Sequence, residues 1–111
     1  MKNLTITSCP SGKVLSIQAK TWFDKVNGNS YFSARVTMCY RKKEYYFEMP
    51  FDYGYGDYYL QAALKELQSL KGVNQLFPPN CHQLPRHCRE TGIILNHSNQ
   101  KNCLKRELIK N

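Results

Sequence analysis

Alternating apolar residues on both sides of Asn27-Gly28 constrain this chain more than any other feature. An Asn-Gly pair flanked by such alternation is a strong short-range hairpin signal, because both residues tolerate the positive φ of a two-residue turn. A turn there sets Phe23 opposite Phe32, Thr21 opposite Ala34, Ala19 opposite Val36 and Ile17 opposite Met38. Leu15, Ile17, Ala19 and Phe23 then share one face with Phe32, Ala34, Val36 and Met38. Slipping the register by one residue would bury Lys20 and Arg35, so the faces are well specified.

A second tight turn near Arg41-Lys42 returns a third strand, which adds Tyr45, Phe47 and Met49 to the apolar face and sets Arg35 opposite Glu48. Pro50 is expected to end that strand, since it has no N–H for the ladder. Leu4 and Ile6 alternate with polar neighbours from Met1 to Ser8 and add a short strand. After the loop Phe51 to Gly56, the spacing of Leu60, Ala63, Leu64, Leu67 and Leu70 predicts a helix. Asp57 is placed to cap its start and Gly72 to close it. Its apolar stripe should cover the sheet.

Composition changes at Phe77-Pro78-Pro79-Asn80. Pro85 opens a short helix that should run to about Thr91 and stop at Gly92. Ile93, Ile94 and Leu95 then form a brief strand or a buried plug, and the polar chain from Asn96 onward reads as a basic tail. The expected fold is α+β: three to four antiparallel strands, one main helix on one face, a short C-terminal helix and a tail. Residues 1–77 make the sheet and helix core, and residues 78–111 a Cys/His-containing basic segment of the same domain.

In 111 residues the chain carries 16 Lys plus Arg against 8 Asp plus Glu, a formal charge of +8. That sign favours polyanionic partners or acidic protein surfaces and disfavours a nucleic-acid mimic. No apolar run approaches the ~18 residues that span a bilayer, so no membrane role is expected and the location is read as cytoplasmic. Five cysteines without an export signal read as reduced thiols.

Three surfaces could carry function. Gln18, Lys20, Trp22, Tyr31, Arg35, Thr37 and Tyr46 project from the sheet face away from the helix, where aromatics interleaved with cations can stack bases and neutralise phosphates. The alternative is that the C-terminal segment folds over these residues. A basic set of Lys25, Arg41, Lys42, Lys43, Lys101, Lys105, Arg106 and Lys110 would bind polyanions in a salt-dependent way. The tyrosines around Tyr53 and Tyr55 offer rigid contact area for a partner. Cys81, His82, Cys88 and Cys103 are candidate zinc ligands, but without a Cys-x-x-Cys knuckle the spacing is poor. His87 and Cys88 are sequence neighbours that cannot readily face each other on a helix as a nucleophilic pair. Tyr53-Gly54-Tyr55-Gly56 lacks the Lys-Ser/Thr of a phosphate loop, and its glycines are expected to permit a positive-φ turn. No cofactor is expected and no catalysis is supported.

The segments Lys20-Thr21-Trp22-Phe23, Gly28 to Ala34 and Pro50-Phe51-Asp52-Tyr53-Gly54-Tyr55, with a weaker echo in Arg86 to Ile93, resemble a group of small proteins encoded by bacteriophages and prophages. The likeness covers roughly residues 13 to 70 and brings no activity or site residue with it. It implies a non-enzymatic accessory protein of a mobile element, a setting in which anti-CRISPR and other counter-defence inhibitors are common. The expected function is binding and inhibition of a host defence nucleoprotein complex. The alternative is a direct single-stranded DNA- or RNA-binding module in phage replication or regulation. Three antiparallel strands followed by a helix also resemble the later part of a double-stranded RNA-binding domain. Here the helix start, Gly56-Asp57-Tyr58-Tyr59, is acidic and aromatic where such domains are basic.

Overall fold

A computed structural model describes residues 2–109. Met1, which the first strand was expected to include, and Lys110 of the basic tail lie outside the described residues. The strands are β1 (Lys2–Ser8), β2 (Val14–Asp24), β3 (Asn29–Tyr40), β4 (Lys43–Tyr53) and β5 (Ile94–Gln100), and the helices are α1 (Tyr58–Ser69) and α2 (Leu84–Thr91). The strands form one mixed sheet in the order β1-β4-β3-β2-β5. The α+β class therefore holds, but the sheet has five strands and is not purely antiparallel. β5 runs parallel to β2, pairing Ile94 with Val14 through to Gln100 with Lys20. The first five residues of the expected tail, Asn96 to Gln100, thus belong to an edge strand.

The β2–β3 hairpin forms with a different loop. Asp24 pairs with Asn29, so Lys25 to Gly28 make a four-residue connection in place of a two-residue turn at Asn27-Gly28. Asp24 is the reason: its carboxylate accepts the Val26 N–H at 3.0 Å and the Asn27 side-chain amide at 2.8 Å. Those bonds hold the Asp24 carboxyl below its ordinary range, the Asn27 side chain contributing most. Gly28 closes the loop with a φ of 71° and donates to the Asp24 carbonyl at 2.7 Å. The register consequently moves by two residues, Ile17 pairing with Val36 and Ala19 with Ala34. A shift of two keeps every side chain on its face, so the core residues are as expected except Phe23, which pairs with Ser30 and is exposed.

Arg41 and Lys42 form the second turn with φ of 52° and 64°, both in the left-handed region. Arg35 does pair with Glu48. Pro50 does not end β4, which continues to Tyr53 through a bulge between the Phe32 and Ala34 pairings. A bulge tolerates the missing N–H and also reverses the alternation beyond it. Phe51 therefore lies with the outward residues, although the pattern of Phe47 and Met49 would have turned it inward.

Leu60, Ala63, Leu64, Leu67 and Leu70 pack on Leu15, Ile17, Val36, Met38 and Phe47 in one buried cluster. Asp57 stands at the N-cap position without a side-chain capping bond, and α1 ends at Ser69 with Leu70 as its C-cap, two residues before Gly72. The second helix matches expectation, with Pro85 in its first turn and Gly92 left-handed at its end. Ile93 is buried below the sheet edge, whereas Ile94 is exposed. No helix among the described residues is long and apolar enough to cross a membrane.

Candidate polyanion-binding face

Strand pairing brings Trp22 opposite Tyr31 on the face away from α1. Their rings stack with centroids 5.5 Å apart, and Phe51 stacks on Tyr31 at 4.8 Å while its own centroid lies 6.1 Å from that of Trp22, so the three rings form a triangle. Tyr53 meets Tyr31 edge-on at 5.8 Å. Phe51 is the member that sequence periodicity missed, because only the bulge at Pro50 turns it outward.

The C-terminal segment crosses this cluster as a strap. Cys103 N–H donates to the Thr21 carbonyl at 3.0 Å, and the buried Leu108 helps fix the far end. Ile109 N–H donates to Ser33 Oγ at 2.9 Å while its carbonyl accepts from Phe51 N–H, the group next to the bulge. Between these anchors is a short 3-10 turn, Lys105–Glu107. Lys105 Nζ lies 5.4 Å from the Trp22 ring centre and 5.9 Å from that of Phe51. Trp22, Tyr31 and Phe51 are accordingly half-buried. The aromatic faces that could have stacked bases are stacked on each other beneath a cation, as the covering alternative anticipated.

Beside this cluster the face is polar. Lys20 pairs with Ser33 and Gln100, and Arg35 with Gln18, two rows of side chains shared by β3, β2 and β5. Arg35 Nε is 3.9 Å from Glu48 Oε2, a loose ion contact, and Tyr46 Oη donates to the same carboxylate oxygen at 3.2 Å. Burial, with the Glu48 charge second, raises the Tyr46 phenol above its ordinary range.

The remaining predicted residues do not join this group. Arg41, Lys42 and Lys43 sit at the opposite end of β3, ten residues from Tyr31, or ~33 Å of extended strand. There the Arg41 guanidinium covers the Tyr40 ring at 5.1 Å. Tyr55 is 82% exposed in the loop before α1 and contacts none of the outer-face rings. Of its neighbours, Tyr58 packs on Phe32, and the buried Tyr59 shares a 2.8 Å hydrogen bond with His97 Nδ1. Burial raises the Tyr59 phenol, with the Asp57 charge second.

The zinc set is not assembled. Among the described residues no three His, Cys, Asp or Glu side chains converge as metal ligands. Cys81 lies under α1, where its carbonyl accepts from Gln68, whereas Cys103 bonds the Gln100 carbonyl in the strap. His87 Nε2 is engaged with the Leu76 carbonyl at 2.6 Å. Gly54 also differs from expectation. It is Gly56 that takes a positive φ, of 61°, while Gly54 leaves room for the Phe32 ring.

Comparison of the chain with protein-family models, curated proteins and solved structures finds no match.

Proposed function

We propose that this chain is a non-catalytic accessory protein that binds and inhibits a host defence nucleoprotein complex, engaging it by charge and not by stacking bases. The observation that carries the mode of binding is the packing of Trp22, Tyr31 and Phe51 against one another under Lys105. A base would have to displace the strap before it could stack there, against the buried Leu108 and the Ile109 hydrogen bonds. Lys20, Arg35 and Lys105 remain on that face, and Arg41, Lys42 and Lys43 add a second basic site at the far turn. The likeness to phage and prophage proteins supports the biological role, and the excess of cations supports the class of target.

The test is a cleavage assay with a purified RNA-guided defence nuclease and its target. Stoichiometric loss of cleavage, relieved as salt is raised, is the expected result. Unchanged cleavage at large molar excess across effector types would overturn the inhibitor reading. The second reading, a nucleic-acid-binding module acting alone, draws on the same cations. Salt-sensitive binding of free single strands without any effect on the nuclease would favour it.

A further inference from the structure

The strap and the outer sheet face form a small, half-open pocket whose floor follows from strand register. Arg35, Gln18 and Ser98 form one row across β3, β2 and β5, and Ser33, Lys20 and Gln100 form the next. Glu107 and Ile109 of the strap supply the wall, and the pocket volume is about 150 Å³. Pockets that take whole small ligands measure ~300 to 1,000 Å³. This cavity is the size for one compact group, and a nucleobase with its sugar does not fit.

The donors are of one kind. Lys20 brings an ammonium and Arg35 a planar fork whose terminal nitrogens lie beyond the Nε that faces Glu48. Gln18 and Gln100 bring side-chain amides, and Ser33 accepts from Ile109 N–H with its own O–H left to donate. Among the described residues no carboxylate is ion-paired with Lys20. Glu107 is the one acid of the wall, and its Oε1 is held by Leu104 N–H at 2.9 Å. Within the lining two cations face one carboxylate, and Glu48 outside it offsets part of the Arg35 charge, so the small positive excess left suits a monoanion better than a dianion. A phosphodiester is a compact monoanion with several acceptor oxygens, and an arginine fork matches its geometry.

We propose that this cavity binds one phosphodiester group of a nucleic-acid backbone, with Lys20 and Arg35 as its charged partners and the glutamine amides as further donors. The site rests on the charge-based binding reading above and gives it a ligand. The adjacent Lys105, held over Trp22, extends the positive potential toward the next phosphate.

The probe is a short oligothymidylate, titrated onto the full chain by fluorescence anisotropy across a salt series. Lys20→Met with Arg35→Met should weaken low-salt binding about tenfold and flatten the log K against log salt slope by about 1.4, two charges at ~0.7 each for a single strand. The Lys20→Arg, Arg35→Lys pair should restore the slope, which separates lost charge from lost folding. Unchanged affinity and slope in the Met pair, with binding lost instead on Arg41→Gln, Lys42→Gln and Lys43→Gln together, would overturn the cavity and leave charge-based binding standing. Absence of binding by the unmodified protein at low salt, or binding of polyglutamate but not the oligonucleotide, would overturn the site. Only a failure to bind either polyanion would remove the charge-based reading with it.

Discussion

Lys105 Nζ sits 5.4 Å above the centre of the Trp22 indole, joining the C-terminal strap to the outer sheet face. A cation over an indole is worth ~0.5 to 1 kcal/mol at a partly exposed site, a minor share of the strap's attachment. Lys105→Ala should therefore lower stability by no more than about 1 kcal/mol. Trp22 is the chain's single tryptophan, so tryptophan fluorescence reports the surroundings of this one ring, Lys105 among them. A changed emission with little change in urea midpoint is expected. Identical emission in the variant would show that the lysine does not rest on the ring.

Gly54 tests the packing of the loop into α1. A Cβ built there would fall 2.5 Å from a ring carbon of the buried Phe32 and 2.9 Å from Tyr58. The exposed Tyr58 ring can swing aside, but the buried Phe32 ring cannot withdraw without opening the core, so Gly54→Ala should cost ~1 to 3 kcal/mol, as overpacking does. Gly12→Ala has open space around it and serves as a comparison for sterics, with its φ of 140° adding backbone strain only. Denaturation midpoints of the two variants decide the matter. A Gly54→Ala protein as stable as the parent would place Phe32 elsewhere.

The cysteines predict an alkaline limit. Burial, and then hydrogen bonding with the neighbouring Cys9 thiol, pushes Cys39 up to about 12 from an ordinary 9.0. Burial and the nearby Cys81 push Cys88 up to about 11. The unfolded chain releases these protons near 9 and the folded chain holds them, so stability is intact below that pH and falls as pH rises toward 11 to 12. Urea midpoints should drop between neutrality and about pH 10. In the folded protein at about pH 8, Cys39 and Cys88 should alkylate far more slowly than a free thiol, because the thiolate is the reactive species. Rapid labelling of Cys39 would contradict its environment.

Much of the core was legible because strand periodicity is insensitive to the details of a turn. Asp24, not the Asn27-Gly28 pair, determines the first hairpin loop, and the resulting two-residue shift left Leu15, Ile17, Val36 and Met38 on the expected face. β5 was obscured because Asn96 to Gln100 are polar, and a parallel edge strand pairs with β2 only after a long crossover that no local pattern encodes. Strand alternation places Trp22 and Tyr31 on the outer face but not Phe51, since one bulge at Pro50 reverses its side. The strap had only a weak signal, Leu108 and Ile109 in an otherwise polar tail. Distances along β3 then separate Arg41 to Lys43 from the aromatic end, which composition alone would have merged into one basic surface.

Comparing an oligonucleotide with its abasic counterpart of equal length tests most directly whether this face binds phosphates and not bases. Each stacked base is worth ~1 to 3 kcal/mol, so a working aromatic platform would separate the two strands by about tenfold or more in affinity. With Trp22, Tyr31 and Phe51 occupied by one another, both strands should bind at low salt with affinities within about twofold and with the same salt slope. Clear preference for the base-bearing strand, lost on Trp22→Ala, would contradict the charge-only mode.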